Sequence, residues 1–250
     1  MRTVQATRYV TALREGGSMP GLVEADDDGL YVLKFRGAGQ GAKALVAELV
    51  AGELARAAGL PVPEIVFVAL DPALGRAEPD PEIQELIAAS AGLNVGLDYL
   101  PGSLTYNPAV APGPEPELAA EIVWLDALMT NVDRSPQNPN LLLWHGRLWL
   151  IDHGAALYLQ HAWTDPPAEA RRPFAAIRQH VLLERAGSIT EADARLAPRL
   201  SPDVLAQVLD PVPEDWFTPR ARAEYLEYLR LRLESPRMFV AEAEAARDAA

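Results

Sequence analysis

The sequence contains no cysteine, and its four histidines are scattered. Without cysteine the chain can form neither disulfide bonds nor thiolate zinc sites, and it has no cysteine nucleophile. The histidines lack the H-E-x-x-H spacing of zinc hydrolases. The Gly-rich stretch GAGQGAK lacks both the strand-to-helix context and the Ser or Thr that a Walker loop or a dinucleotide fingerprint needs. These absences exclude several common classes of enzyme.

Positive charge and long apolar runs are also scarce. The 22 Lys and Arg residues face 35 Asp and Glu residues, so the formal net charge is −13. Because a chain of this sign repels a phosphate backbone, we expect no nucleic acid partner. No apolar run approaches the roughly 18 residues of a membrane span, and the first residues do not form a secretory signal. We therefore expect a cytoplasmic protein with no membrane partner.

The composition is that of a folded protein with both helices and strands. Hydrophobic residues make up 49% of the 250 residues and charged residues 23%, close to the globular average. Two β-prone runs flank Asp28-Gly29, a dipeptide typical of a hairpin turn. An apolar stripe predicts a helix over 43–58 that ends at Gly59, and LPVPEIVFVAL predicts the next strand. The first seventy residues thus predict the order β–β–α–β.

The remaining sequence predicts mostly helices. PEIQELIAAS predicts a short helix and NVGLDYLPGS a strand that runs into a linker. Residues 116–130 predict an amphipathic helix, and LLLWHGRLWLID predicts a hairpin with its turn at His145-Gly146. An Arg-, Glu- and Ala-rich helical pattern covers 219–249. The Pro-Gly pair before residue 103 marks a boundary between two segments of the chain.

Lys34 stands in the apolar strand LYVLKF, after a Gly-rich turn and the predicted hairpin. An isolated lysine on a strand usually faces solvent. A lysine held by a carboxylate beside a flexible loop, however, supplies the positioned charge that ATP phosphates need. Glu48 and Glu53 of the predicted helix are both candidates for that carboxylate. Glu53 lies nearer the centre of the apolar stripe and Glu48 at its flank, so the pattern leaves both open.

Two further motifs contain groups that phosphoryl transfer uses. In DRSPQN, Asp133 can accept the proton of an attacking hydroxyl, and Asn138 can bind magnesium, although such residues also favour ordinary turns. In IDHG, Asp152 leaves an apolar strand just before a glycine, where a carboxylate can hold a metal that bridges phosphates. The ordered set of Lys, Glu, D-x₄-N, hairpin and D-x-G is much more specific than any one of its members.

Two segments resemble a known family. NVDRSPQNPNLLLWHGRLWLIDHG resembles the D-R-x-x-x-N…I-D-x-G segment of the HipA-like and phosphatidylinositol-kinase-like branch of the protein-kinase superfamily. AELVAGELARAAGLPVPE resembles the HipA-type segment in which a helix with an acidic residue runs into G-L-x-V-P. The similarity spans roughly residues 15–155. Counted back from Gly59, the family pattern favours Glu48 over Glu53.

The resemblance implies a two-lobed, kinase-like α+β fold. A small β-rich N-lobe with one helix would occupy residues 1–101 and bind the nucleotide. A mainly helical C-lobe over residues 102–250 would contain the catalytic loop, the metal site and the substrate region. The implied cofactors are ATP and Mg²⁺. The sequence departs from the usual kinase motifs in two places. GGSMPG, in which Pro20 stiffens the turn, replaces G-x-G-x-x-G, and D-H-G replaces D-F-G.

The resemblance also implies a role for individual residues. Lys34 would contact the ATP phosphates, with Glu48 orienting it. Asp133 would be the catalytic base, with Asn138 and Asp152 as the magnesium ligands. The further nucleotide contacts would be Gly16, Gly17 and Ser18 over the phosphates and, through the backbone, Asp98, Tyr99 and Leu100 beside adenine. Beyond these, His153 is expected to pack or to hydrogen-bond, and His161 and Trp163 are candidates for substrate recognition.

We therefore expect magnesium-dependent transfer of the ATP γ-phosphoryl group to a hydroxyl acceptor, with protein Ser or Thr as the first choice. Catalysis would come mainly from positioning and charge neutralisation. One alternative is a nucleotide-binding regulator with negligible transfer, which the D-H-G departure favours. Another is a small-molecule or lipid kinase, because phosphatidylinositol kinases share the D-R-x-x-x-N loop, although the acidic charge argues mildly against an anionic membrane.

Overall fold

The computed structural model describes residues 1–13, 19–39, 41–109, 113–157 and 165–250. Contacts within the chain divide it into two compact units. The first unit comprises Met1–Leu49 and Pro63–Gly102, and the second comprises Val50–Val62 and Ser103–Ala250. Among the described residues, the structure contains no helix with both the length and the apolar character of a membrane span.

Residues 50–62 belong to the second unit, although the predicted division at residue 101 assigned them to the first. Two hydrogen bonds join this stretch to distant segments of the second unit. The Leu150 N–H donates to the Pro61 carbonyl at 2.8 Å. The Arg199 guanidinium donates to the Ala58 carbonyl at 2.6 Å. Partners that are so far apart in sequence leave no local signal, so the pattern of Pro and Gly could not reveal them.

The first unit is built on a five-stranded closed barrel. Its strands are β1 (Thr3–Ala12), β2 (Gly21–Ala25), β3 (Leu30–Lys34), β4 (Ile65–Leu70) and β5 (Gly92–Asp98). Around the barrel the order is β1-β2-β3-β5-β4, with β1 parallel to β4 and the other neighbours antiparallel. The predicted order β–β–α–β is incomplete at its start, because residues 3–12 form an additional strand, β1. Its pairing with β4, from Thr3 opposite Phe67, is long-range and closes the barrel.

The predicted hairpin turn is confirmed, and its residues explain its shape. Asp28 has φ +62°, a left-handed conformation that Asp tolerates better than most residues. The Ala25 N–H donates to the Gly29 carbonyl at 3.0 Å and closes the turn. On β5, a Cβ atom at Gly96 would lie 2.6 Å from the Val68 side chain. A larger residue at this position would collide with Val68 of the neighbouring strand β4, so the packing requires glycine there.

Two helices lie between the later strands of the first unit, one between β3 and β4 and the other between β4 and β5. Helix α1 (Ala42–Ala58) begins in this unit, and every residue from 45 to 52 is buried. Gly59 ends α1 with φ +88°, as the sequence predicted. Helix α2 (Pro81–Ala89) begins at Asp80, whose carboxylate accepts a hydrogen bond from the Glu82 N–H. This capping bond and the proline at the first helical position explain why α2 starts there.

The second unit contains one small sheet and most of the helices. Its sheet has the order β6-β7-β8, and the last two strands form the predicted hairpin. His145 and Gly146 at the turn have φ +49° and +72°, the positive pair that a tight hairpin turn needs. The strands are β6 (Leu104–Thr105), β7 (Leu141–Trp144) and β8 (Arg147–Leu150). The helices are α3 (Pro116–Leu128), α4 (Pro166–Ala170), α5 (Ile189–Leu196), α6 (Pro202–Leu209), α7 (Pro219–Leu233) and α8 (Met238–Asp248).

The helical pattern predicted over 219–249 is two helices rather than one. Helix α7 ends at Leu233 and α8 begins at Met238, with Pro236 between them. Proline cannot donate the hydrogen bond that a continuous helix needs, and its ring collides with the preceding turn. Helix α3, in contrast, is buried along almost its whole length. It leads directly into the loop that contains the predicted catalytic residues.

Candidate active site

Lys34 and Glu48, the predicted pair, both lie in the first unit. Lys34 is the last residue of β3, is half-buried and stands opposite Val95 of β5. Glu48 is almost completely buried in α1, with 1% of its surface exposed. Burying a carboxylate is costly unless a cation or hydrogen-bond donors accompany it. The Glu48 carboxylate therefore needs a cation or hydrogen-bond donors beside it.

The competing residue, Glu53, lies in a different environment. Its side chain retains 26% exposure and forms an ion pair with Arg56 at 3.3 Å, three residues along the same helix. The apolar stripe placed Glu53 nearer the buried centre than Glu48, and the structure reverses that order. The reason is that α1 is enclosed on all sides from 45 to 52, so the flank of the stripe is as buried as its centre.

The predicted adenine contacts lie at the end of β5 and just beyond it. The Asp98 N–H donates to the Glu64 carbonyl at 2.8 Å, and the Tyr99 N–H donates to the Leu30 carbonyl at 2.9 Å. Both donors are therefore already used by the neighbouring strands. Among the described residues, the Leu100 N–H makes no backbone hydrogen bond. It is therefore the donor of this segment that an adenine ring could use. Gly16, Gly17, Ser18, His161 and Trp163 lie outside the described residues.

Asp133 is held from several directions by amides of its own loop. Its N–H donates to Asn131 Oδ1 at 3.1 Å. The Asn138 Nδ2 donates to Asp133 Oδ2 at 2.9 Å. The Asn140 Nδ2 donates to the Asp133 carbonyl at 2.5 Å and approaches Oδ2 at 3.3 Å. Within the described residues, Oδ1 of Asp133 accepts no hydrogen bond, so that oxygen can accept the proton of an acceptor hydroxyl.

The same contacts orient Asn138, the predicted metal ligand. Reciprocal hydrogen bonds of 3.1 Å between the main chains of Ser135 and Asn138 close the turn. Because the Asn138 Nδ2 donates to Asp133, its amide oxygen is directed elsewhere and is left as a hard oxygen ligand. Oxygen ligands of this type suit Mg²⁺ and Mn²⁺. One turn of chain thus orients the side chains of both the predicted base and the predicted metal ligand.

Asp152, the second predicted metal ligand, follows β8 at a strained point of the backbone. It is half-buried and has φ +53°. The residue before it, Ile151, donates its N–H to the Asn140 carbonyl at 3.1 Å, which joins this segment to the loop of Asp133. Among the described residues there is no group of three or more acidic or histidine side chains that could hold a metal alone. Magnesium commonly uses only one or two carboxylates together with phosphate oxygens.

His153, the middle residue of D-H-G, is fully buried, as a packing role requires.

Like Asp152, other residues of this region have unusual backbone angles. Thr130 has φ +51° and Leu157 has φ +54°, and the Leu157 N–H donates to the Met129 carbonyl at 2.6 Å. A positive φ is a genuine outlier for a β-branched residue such as threonine. Such strain persists only where the surrounding structure enforces it, and it concentrates at functional sites.

A buried ion pair supports the whole loop. Arg134 Nε lies 2.5 Å from Asp126 Oδ2, and both side chains have no exposed surface. The Arg134 Nη1 also donates to the Asn140 carbonyl and, at 3.4 Å, to the Ile151 carbonyl. Asn131 Nδ2 donates to the other oxygen of Asp126 at 2.8 Å. The guanidinium therefore connects α3, the turn of the loop and the segment that leads to Asp152.

His180 completes the surroundings of Asp126. Its Nε2 lies 2.9 Å from Asp126 Oδ2, and the Leu182 N–H donates to its Nδ1 at 3.1 Å. An Nδ1 that accepts a hydrogen bond cannot carry a proton, so this histidine is neutral and donates through Nε2. Burial lowers the pKa of His180 and outweighs the opposing effect of Asp126. The hydrogen bond to Nδ1 and the lowered pKa thus both indicate that His180 is neutral.

The charge of Asp126 follows from the same contacts. Burial by itself would raise the pKa of this carboxyl, but the Arg134 charge and the hydrogen bonds from His180 and Asn131 hold the pKa well below its usual value. Asp126 is not among the residues predicted from the sequence. A signal was present, because a lone carboxylate in the apolar stretch EIVWLDALMT requires a buried partner. Nothing in the sequence identifies that partner as Arg134 or His180.

Comparison with solved structures identifies the class of fold. A Helicobacter pylori proinflammatory kinase, CtkA, matches with a TM-score of 0.60 and 13% identity, covering 99% of both chains. The Golgi casein kinase with Mn/ADP bound matches with a TM-score of 0.60 and 13% identity, covering 98% of this chain and 74% of that one. A second structure of the Golgi casein kinase matches with a TM-score of 0.57 and 12% identity, covering 99% and 73%. The chain therefore has a kinase fold.

The family follows from the sequence match. The family model described as HipA-like kinase matches residues 7–231, which is most of the chain. The protein belongs to the HipA-like kinase family, and the resemblance on which the predicted roles depend is confirmed. A search of functionally curated proteins found no match. Family and fold together identify a kinase, and therefore a phosphotransferase.

The buried ion pair should make the Arg134→Met variant markedly unstable. Removing the guanidinium leaves the Asp126 carboxylate buried without its cation, which costs about 3–5 kcal/mol in comparable pairs. The measurement is the free energy of unfolding from urea denaturation followed by circular dichroism.

Arg8→Met is the matched control, because the ion pair of Arg8 with Glu24 is exposed, at 62% and 41% of the two side chains. It should produce no measurable change. Equal losses in the two variants would contradict the role assigned to Arg134.

The neutral state of His180 should make stability depend on pH. Below about pH 6.5 an unfolded histidine binds a proton that the folded one excludes, so stability falls as the pH falls. The slope contributed by one such group is at most about 1.4 kcal/mol per pH unit. His180→Gln should remove that contribution, as measured by urea denaturation at a series of pH values between neutral and mildly acidic.

The control for this series is His145→Gln, which changes an exposed histidine at the hairpin turn. The free energy of unfolding of this variant should depend on pH as that of the wild type does. If the wild type and His180→Gln lost stability in parallel on acidification, His180 would not be neutral in the folded protein.

Proposed function

We propose that this HipA-like kinase transfers the γ-phosphoryl group of Mg·ATP to the hydroxyl group of a protein Ser or Thr. The observation that carries this proposal is the arrangement of the Asp133 loop. One turn of chain holds a carboxylate with an oxygen that accepts no hydrogen bond among the described residues, and it orients the Asn138 amide oxygen from the same contact. Phosphoryl transfer needs such positioning more than it needs covalent help from the protein.

The second unit supplies the groups for the acceptor and the metal. Asp133 orients the acceptor hydroxyl and takes its proton. Asn138 and Asp152 hold the metal with oxygen ligands, which suit both Mg²⁺ and the Mn²⁺ bound to the Golgi casein kinase structure. When bound, the metal neutralises charge on the phosphate oxygens. Arg134 acts on none of these atoms directly, but its hydrogen bonds to the Asn140 and Ile151 carbonyls keep the two segments in place.

The first unit supplies the groups for the nucleotide. Lys34 places its charge on the phosphates, and Glu48 orients it. This assignment is supported by the burial of Glu48, since a carboxylate that is 1% exposed needs a cationic or hydrogen-bonding neighbour. The Leu100 N–H is the donor that we assign to adenine, because the N–H groups of Asp98 and Tyr99 already donate to neighbouring strands.

Two substitutions should separate the base from the metal ligand. Asp133→Asn should lower phosphoryl transfer by about 10²–10⁴-fold while ATP binding persists, because an amide cannot take the acceptor's proton. Asp152→Asn should reduce transfer and also weaken the binding of Mg·ATP. Transfer is measured with γ-labelled ATP, and binding by the thermal shift that ATP produces with and without magnesium.

Asp203→Asn, an exposed change in the first turn of α6, is the control and should match the wild type. Equal residual transfer and equal nucleotide binding in the Asp133 and Asp152 variants would contradict the two roles. A wild-type protein that Mg·ATP stabilises, but that labels neither itself nor any protein of a cell extract, would instead be a nucleotide-binding regulator.

A further inference from the structure

A cavity opens beside the catalytic loop of the second unit. Its volume is about 170 Å³, and its lining includes Val132, the residue immediately before Asp133. A cavity of about 150 Å³ is enough to hold a benzene-sized group. Its apolar walls are Val132, Pro173, Phe174 and Ala175. The cavity is thus large enough for a leucine or phenyl side chain and lies within one residue of the proposed base.

The exposure of Val132 is unusual for an apolar side chain in such a position. Val132 is 44% exposed, one of few large apolar residues on the described surface. Single exposed apolar residues are common, and most of them need no explanation. Val132, however, lines a cavity and directly precedes Asp133. An apolar group seated there would remove the Val132 side chain from water.

The charged groups that line the cavity already have partners. Buried Arg232 donates to four main-chain carbonyls, those of Ala127, Leu128, Ala170 and Arg172, at 2.6–3.2 Å. The Glu169 carboxylate forms an ion pair with Arg172 at 2.8 Å. A charged ligand group would have to compete with these contacts. The cavity therefore offers apolar contact area rather than an open charge.

We propose that this cavity receives an apolar side chain of the acceptor protein, within two residues of the Ser or Thr that is phosphorylated. The inference rests on the proposed function, because it takes Asp133 as the group that binds the acceptor hydroxyl. The hydroxyl must lie about 2.6–3.2 Å from the Asp133 carboxylate. Adjacent Cα atoms are about 3.8 Å apart, and an extended chain advances about 3.3–3.6 Å per residue. Val132 lines the cavity and is the chain neighbour of Asp133, so a neighbouring side chain of a bound peptide would reach the cavity.

The test uses peptides that contain a single serine in a neutral sequence. The two residues on each side of the serine are varied among Leu, Phe, Ala, Asp and Lys, and phosphate transfer from γ-labelled ATP is measured with the wild-type chain. Peptides with Leu or Phe at one of these positions should be phosphorylated with kcat/KM about 10-fold higher than those with Asp or Lys there.

A matched pair of variants locates the effect at the cavity. Ala175 and Ala176 are adjacent exposed residues of one short 3₁₀ turn, but only Ala175 lines the cavity. Ala175→Trp should fill the cavity and raise KM for the preferred peptide about 10-fold, with kcat essentially unchanged, because uniform binding is lost. Ala176→Trp should behave as the wild type. Circular dichroism and the urea midpoint confirm that both variants are folded.

A second pair keeps the proposal testable if tryptophan disturbs the turn. Val132→Asp puts a charge into the cavity opening and should raise KM in the same way. Leu104→Asp makes the same change at an apolar residue of β6 that is 69% exposed and away from the cavity, and it should have no effect.

The outcomes separate this inference from the proposed function. If the wild type phosphorylates the peptides irrespective of the flanking residues, and each variant matches its control, the cavity is not a substrate subsite although the protein is a protein kinase. The inference also fails if a lipid or small molecule is phosphorylated equally by the wild type and Ala175→Trp. Stabilisation by Mg·ATP without transfer to any acceptor overturns both proposals.

Discussion

The second unit depends on one buried ion pair, between Asp126 of α3 and Arg134 of the loop that follows. Both side chains are removed from water, so each charge is tolerated only because the other is present. Further hydrogen bonds surround the pair: Asn131 and His180 donate to the carboxylate, and the guanidinium donates to the Asn140 and Ile151 carbonyls. If the loop changed its course, one of the two buried charges would lose its partner. Because that loss is costly, the loop is held rigid.

That rigidity is what the proposed chemistry requires. Phosphoryl transfer gains its rate mainly from the placement of charges and hydrogen-bond donors, and a displacement of about 1 Å can cost about 10²-fold in rate. Asp133 and Asn138 are placed by amides that are themselves held by the ion pair. The strained backbone at Thr130 and Asp152 belongs to the same arrangement, since residues with positive φ persist only where their surroundings enforce them. The hydrogen bonds around the ion pair thus hold the loop in this course.

A second buried cation has a similar structural role on the other side of the loop. Arg232 of α7 donates to carbonyls at the end of α3 and in the segment after α4, and its guanidinium lies 4.9 Å from the centre of the Phe239 ring. It fixes the floor of the cavity beside Val132 without adding an open charge to it. Arg134 therefore holds the loop that contains Asp133 and Asn138, and Arg232 holds segments that line the cavity.

The sequence by itself determined several local elements and the spacing of the candidate residues, because these depend on neighbouring residues. The Asp28-Gly29 turn, the helix ended by Gly59, the hairpin at His145-Gly146 and the D-x₄-N spacing are all local patterns. The resemblance carried by the same motifs identified the kinase family. Only the tertiary structure decided what depends on distant partners. It closed the barrel through the parallel pairing of β1 with β4, buried Glu48 rather than Glu53, and paired Asp126 with Arg134 and His180. The physical reason is that burial and ion pairing join residues far apart in the chain, and the residue pattern around each partner contains no signal of the other.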